Sequence, residues 1–195
     1  MPSLKPTLMK FGVDWLMHSH VKEPVMITKV LKDFIGCWKM FNGCPLTPNE
    51  DAAKKINSGD CGLAAIATHY VLRERYGIVT EINLNRNHCW LTLNGVDYDT
   101  NNVEGYPEGT SANQCWSRGD LDPITGLTFA DACNEWMPCD ALGGYLVKGF
   151  VTRYQLPMPA ELQHCIDKAA EYECPEAIPE MEERSNRILV MSVPV

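Results

Sequence analysis

Asn94-Gly95 is the most restrictive dipeptide in this chain. It lies between Leu91-Thr92-Leu93 and Val96-Asp97-Tyr98, two short runs suited to strands, and it predicts a two-residue type I′ turn. The turn sets a register. Leu93 faces Val96, Trp90 faces Asp99 and His88 faces Asn101. Cross-strand partners share a face, so His88, Trp90, Asp99 and Asn101 are expected on one side of the sheet. Cys89, Leu91, Leu93 and Tyr98 form an apolar pattern on the other. His88 and Asp99 become diagonal neighbours, about 7–8 Å apart at the backbone, within reach of their side chains. A one-residue slip would send Asp99 to the wrong face, and a two-residue slip would offer Asn101 in its place.

Upstream, Gly59 to Tyr76 reads as a helix closed by Gly77. Leu63, Ile66, Ala67, Tyr70 and Val71 form its apolar stripe, and Ala64, Ala65 and Ala67 are small enough to admit a sheet closely. Ser58 is expected as N-cap, with Cys61 in the first turn. Unpaired N–H groups and about half a positive charge at such an end favour a thiolate and hold an oxyanion. Asp60 works against this, because a second negative charge raises a thiol pKa.

Cys61, His88 and Asp99 are thus candidates for a nucleophile, its base and the base's orienter, with Asp99 expected on His88 Nδ1. His69 is the competing base. It lies two turns along the same helix, about 12 Å from Cys61, which is too far. His18, His20 and His164 have no comparable context.

The remaining chain predicts an α+β fold in a single domain, 1–195. A helical N-terminal part (1–50) is expected, with Phe11, Trp15, Val25, Val30, Leu31, Phe34, Ile35 and Trp38 at helical spacing and Pro24 breaking the segment in two. The catalytic core spans 58–100, with two or three strands after Val79. Residues 101–126, rich in Asn, Gly, Pro and Ser, are expected as a long loop bordering the cleft. Across 127–195, a short helix is expected at Thr128–Glu135, a strand at Gly144–Leu156, a helix at Pro159–Glu173 and a final strand at Arg187–Val193.

Net charge −8 argues against a large nucleic-acid footprint. No run of 18 apolar residues suggests a membrane span, and the first residues lack a secretory signal. An odd count of nine cysteines in such a chain points to a reducing, cytoplasmic setting. No C-x-x-C occurs, so no metal site is expected and most thiols read as small buried hydrophobes.

Asp60-Cys61-Gly62-Leu63-Ala64-Ala65 followed by Tyr76-Gly77 resembles the nucleophile helix of bacteriocin-processing cysteine peptidases. His88-x-Trp90, Gly95 and Tyr98-Asp99 resemble the later catalytic blocks of transglutaminase-like proteins. The resemblance covers about 40 residues. It implies a papain-like (transglutaminase-like) core, with the nucleophile helix packed on a small antiparallel sheet and extra N-terminal and C-terminal helices. Cys61, His88 and Asp99 take the triad roles. Asn57 is the candidate second oxyanion donor, Asn101 a supporting residue and Trp90 a wall of the site. The expected activity is that of a cysteine hydrolase, a peptidase or isopeptidase working through a thioester. Acyl transfer or glutamine deamidation by the same triad, and a non-catalytic papain-like binding or inhibitor module, are the alternatives. The expected partner is a protein or peptide substrate, with no cofactor.

Overall fold

The computed structural model describes residues 11–116, 122–136, 141–171 and 175–191. The first ten residues, the tip of the 101–126 segment, and Cys139, Cys174 and Val193 lie outside them, as do the side chains of Phe11, Trp15, His18 and His20. The fold is α+β: helices and a four-stranded antiparallel sheet in the order Val96–Tyr98 (β3), Cys89–Leu93 (β2), Glu81–Leu84 (β1), Ile124–Leu127 (β4).

Helix α1 runs unbroken over Phe11–Phe41, with Pro24 inside it. The expected break does not occur. Pro24 lies on the exposed side, while Ile27, Val30, Leu31 and Phe34 are buried and anchor the helix through packing. Helix α2, Asn49–Lys55, has Glu50 and Asp51 in its first turn and Lys54 and Lys55 in its last, matching the helix dipole at both ends. A π-helical turn, Ile56–Asp60, joins it directly to α3, Cys61–Tyr76. Every residue of α3 from Cys61 to Leu72 is buried, as expected of a helix packed on all sides. It contacts α1 and the inner strands. Gly77 ends it at φ 68°, its N–H on Arg73 O, with Ile78 N–H on Leu72 O.

Within its ladder the hairpin follows the predicted register, but the ladder ends at Leu91–Tyr98 and the expected Trp90–Asp99 and His88–Asn101 pairs lie beyond it. Strands β2 (Cys89–Leu93) and β3 (Val96–Tyr98) pair Leu91 with Tyr98, Thr92 with Asp97 and Leu93 with Val96. Asn94 and Gly95 adopt φ 52° and 78°, the signs a type I′ turn demands. Strand β1 (Glu81–Leu84) pairs with β2 on one side and with β4 (Ile124–Leu127) on the other.

Residues 101–126 carry elements of their own: α4 (Ala112–Trp116) and β4. Edge strand β4 is largely exposed, so no apolar alternation marks it. Asn83 Oδ1 accepts the Gly126 N–H where the ladder is irregular. After α5 (Phe129–Trp136), the expected strand at 144–156 is instead helix α6, Ala141–Arg153. Nearly all of α6 is buried, so it shows no amphipathic period. A Cβ on Gly149 would lie 2.8 Å from Ser185 Oγ and 2.9 Å from Ile188 Cδ1, which is how closely α6 meets the helix that carries them.

Helix α7 spans Ala160–Ala170. Of the expected final strand at 187–193, Arg187–Leu189 instead end helix α8 (Ile178–Leu189), Val190 and Met191 form a turn and bend, and 192–193 lie outside the described residues. Helix α8 buries Met181, Ser185 and Ile188 at helical spacing and pairs Glu180 with Arg184 and Glu183 with Arg187 outside. Asp33 of α1 and Arg153 of α6 form a buried two-point ion pair, and Arg153 Nη1 also donates to Met191 O at 2.7 Å. No helix among the described residues is long and apolar enough to cross a membrane.

Candidate active site

The His88–Asp99 pair follows from the hairpin register. His88 Nε2 and Asp99 Oδ2 are 2.9 Å apart, and the imidazole has no exposed surface. The nitrogen engaged is Nε2, not the expected Nδ1. Asn85 explains the ring's approach. Its Oδ1 accepts the N–H groups of Asn87 and His88, and its own N–H donates to His88 O, so a tight turn places His88 just ahead of β2. With Nε2 on the carboxylate, Nδ1 remains buried and without a hydrogen-bond partner.

Five donors reach the Asp99 carboxylate. Oδ1 accepts the N–H groups of Asn101 and Asn102 and the Asn102 amide, at 2.9, 2.8 and 3.2 Å. Oδ2 accepts from His88 and from the Tyr106 hydroxyl at 2.6 Å. Burial alone would raise this carboxyl. The hydrogen bonds and charge of His88, with those of Tyr106 and Asn102, more than offset burial and hold Asp99 below its ordinary value. Asn101 therefore contributes a backbone N–H, while its side chain is exposed.

Cys61 enters from α3. It lines a small pocket together with Cys89, the residue after His88, whose backbone N–H lowers the thiol's pKa. The helical start expected here is absent, because α2 and the π turn already run into α3. Ser58 is not an N-cap: its hydroxyl donates to Lys54 O, one turn back. Asp60 turns aside and accepts the Trp38 indole N–H at 2.6 Å. Burial, to 4% exposure, raises the Cys61 thiol above its ordinary pKa, and Asp60 adds to that. N–H groups of Cys89, Gly62 and Cys61 only partly offset it.

Asn57 sits in the π turn at 2% exposure. Such turns often mark functional positions in helices. Its Nδ2 has no partner, and with Cys61, Asp99 and Thr100 it lines a pocket of about 10 Å³. Asn57 also lines an open cleft of about 450 Å³ with Ser58, Asn87, Cys115 and Trp116. It stands where the interior meets the surface.

Three residues escaped the sequence reading. Trp116 stacks on His88 with centroids 4.5 Å apart, while Trp90 lies nearly parallel to the ring at 6.2 Å. Trp116 Nε1 donates to Tyr106 OH, which donates to Asp99. Thr100 binds Asn57. Their signal was a pair of aromatics in an otherwise polar stretch. Among the described residues no three His, Cys, Asp or Glu side chains converge as a metal site requires. No protein-family model, curated protein or solved structure matches this chain.

Proposed function

We propose that the protein is a cysteine hydrolase with a papain-like core, cleaving a peptide or isopeptide bond. The observation that supports this most is the buried His88–Asp99 pair, which leaves Nδ1 unpartnered, one residue from Cys89, which lines a pocket with Cys61. A helix bearing the thiol, packed on an antiparallel sheet with the histidine just before β2 and the aspartate just after β3, supports the papain-like reading.

In this reading Cys61 Sγ passes its proton to His88 Nδ1 and attacks the carbonyl carbon. The carbonyl electron pair moves to oxygen, where Asn57 Nδ2 donates. Asp99 stabilises the imidazolium and fixes its orientation. Collapse expels the amine, which takes the proton from His88, and leaves a thioester. Water, deprotonated by His88, attacks the thioester and releases the acid and the thiol. No cofactor enters. A protein or peptide chain would approach along the cleft beside Asn57, with Trp90 walling the histidine.

One observation favours a second reading, a non-catalytic module on the same scaffold: His88 is wholly enclosed and Cys61 nearly so. Iodoacetamide at neutral pH separates the two. The hydrolase predicts that Cys61 alkylates faster than the exposed Cys115, and that His88→Ala slows this by roughly 100-fold, the scale of general-base assistance. A Cys61 slower than Cys115 and indifferent to His88→Ala would favour the module. Incorporation of a labelled amine into protein would instead assign acyl transfer.

A further inference from the structure

Thr100 follows Asp99 directly and is buried, yet it takes no part in the His88 pair. Its hydroxyl lies 2.5 Å from Asn57 Oδ1 and 3.2 Å from Ala53 O. The hydroxyl donates to Oδ1, the nearer of its two acceptors. That fixes which way the amide faces, and Nδ2 is the end left without a partner, in the pocket shared with Cys61. A buried amide donor with nothing to bind is expensive unless something else requires it.

We infer that Thr100 is a positioning residue for the oxyanion site, holding Asn57 so that Nδ2 points to where the oxygen of a tetrahedral intermediate develops. The inference rests on the hydrolase reading and deepens it. Two consecutive residues then set the two halves of the machinery: Asp99 orients the base and Thr100 orients the oxyanion donor. Donors of this kind act only where they are held in advance, because reorienting an amide during reaction forfeits the stabilisation.

Two reagents isolate this role. Alkylation by iodoacetamide is a displacement at a saturated carbon: the S–C bond forms as iodide leaves, and no oxyanion appears. Acetylation by 4-nitrophenyl acetate goes through one. The Cys61 sulfur bonds to the carbonyl carbon, the electron pair moves to oxygen and returns, and 4-nitrophenolate leaves. Thr100→Val keeps the shape and removes the hydroxyl, and Thr100→Ala is a second hydroxyl-free variant.

Both should slow Cys61 acetylation about tenfold or more, a fraction of the 100-fold or greater loss seen when an oxyanion donor is deleted. Alkylation should stay within about twofold, and Thr100→Ser should restore acetylation. In an Asn57→Ala background, Thr100→Val should add nothing further. Acetylation at the wild-type rate in both hydroxyl-free variants, or acetylation and alkylation slowed equally, overturns the role for Thr100 and leaves the hydrolase reading standing. A wild-type Cys61 that neither reagent singles out overturns both.

Discussion

Among the described residues two histidines are buried, and their surroundings are opposite. His69, in the middle of α3, pairs Nδ1 with the Thr80 hydroxyl at 2.9 Å and lies nearly parallel to Phe129. Burial, and then the charge of Arg73, push its pKa down to about 4 against smaller opposing effects of Thr80 and Glu74. His88 pairs with a carboxylate and keeps its second nitrogen unpartnered. A hydroxyl accommodates a neutral imidazole without supporting the charged one, whereas a carboxylate held by five donors supports the imidazolium that forms when a thiol is deprotonated. Burial by itself makes His69 inert. The charge opposite the ring, and what is left unbonded, distinguish a candidate base from a core residue.

Removing that charge should have the largest effect. Asp99→Ala strips partners from His88, Tyr106, Asn101 and Asn102 together. Breaking a buried pair from one side costs about 3–5 kcal/mol, to be read by urea denaturation. Cys61 alkylation should fall roughly 100-fold with it. At the other histidine, Thr80→Val should cost about 1 kcal/mol and leave Cys61 alkylation within about twofold. Equal alkylation rates in the two variants would abolish the distinction between the sites.

The contrast was half legible in the sequence. Asn94-Gly95 carried the whole hairpin register, and with it the diagonal between His88 and Asp99, because turn chemistry and a period of two leave little freedom. Gly77 likewise marked the end of α3. The choice of Nε2 was not legible, since it depends on the Asn85 turn that aims the ring. Nor was the π turn. Ile56-Asn57-Ser58-Gly59-Asp60 has the composition of a loop and cap, and only packing of Ile56 and Asn57 into the core keeps it helical. Helix α6 failed for a related reason: a helix buried on all sides has no polar face to reveal its period. Tyr106 and Trp116 sit in a segment without any period, and long-range hydrogen bonds decide their place.

The His69 site makes a prediction with a definite pH window. Its folded pKa, about 4, lies below the ordinary value of 6.5, so the unfolded chain binds the proton first as pH falls. Stability from this group is fully present above about pH 6.5 and is lost progressively down to about pH 4. Between pH 7 and 4.5 the loss should be about 2 kcal/mol. His69→Gln should remove that share of the slope, measured as the difference between wild-type and variant urea midpoints at the two pH values. Asp99, held below its ordinary value, contributes with the same sign at lower pH. Its stabilisation is present above the usual carboxyl range and disappears only as pH drops through its lowered pKa. An unchanged slope in His69→Gln would mean that the ring is not held neutral.

The smallest effect tests how much of the His88 environment comes from the indole over it. Trp116→Phe keeps an aromatic ring above the imidazole and removes the N–H that donates to Tyr106 at 3.0 Å. Tyr106 keeps its own donation to Asp99, and Asp99 keeps four other donors. The lost bond is therefore one neutral, half-buried hydrogen bond, worth about 1 kcal/mol. Cys61 alkylation should change less than about threefold, because the carboxylate and not the indole supplies the charge that a base needs. Acceleration of alkylation tenfold or more would assign Trp116 a different part, that of a cover whose departure exposes the thiol. The difference between the two histidines would then lie in access as well as in charge.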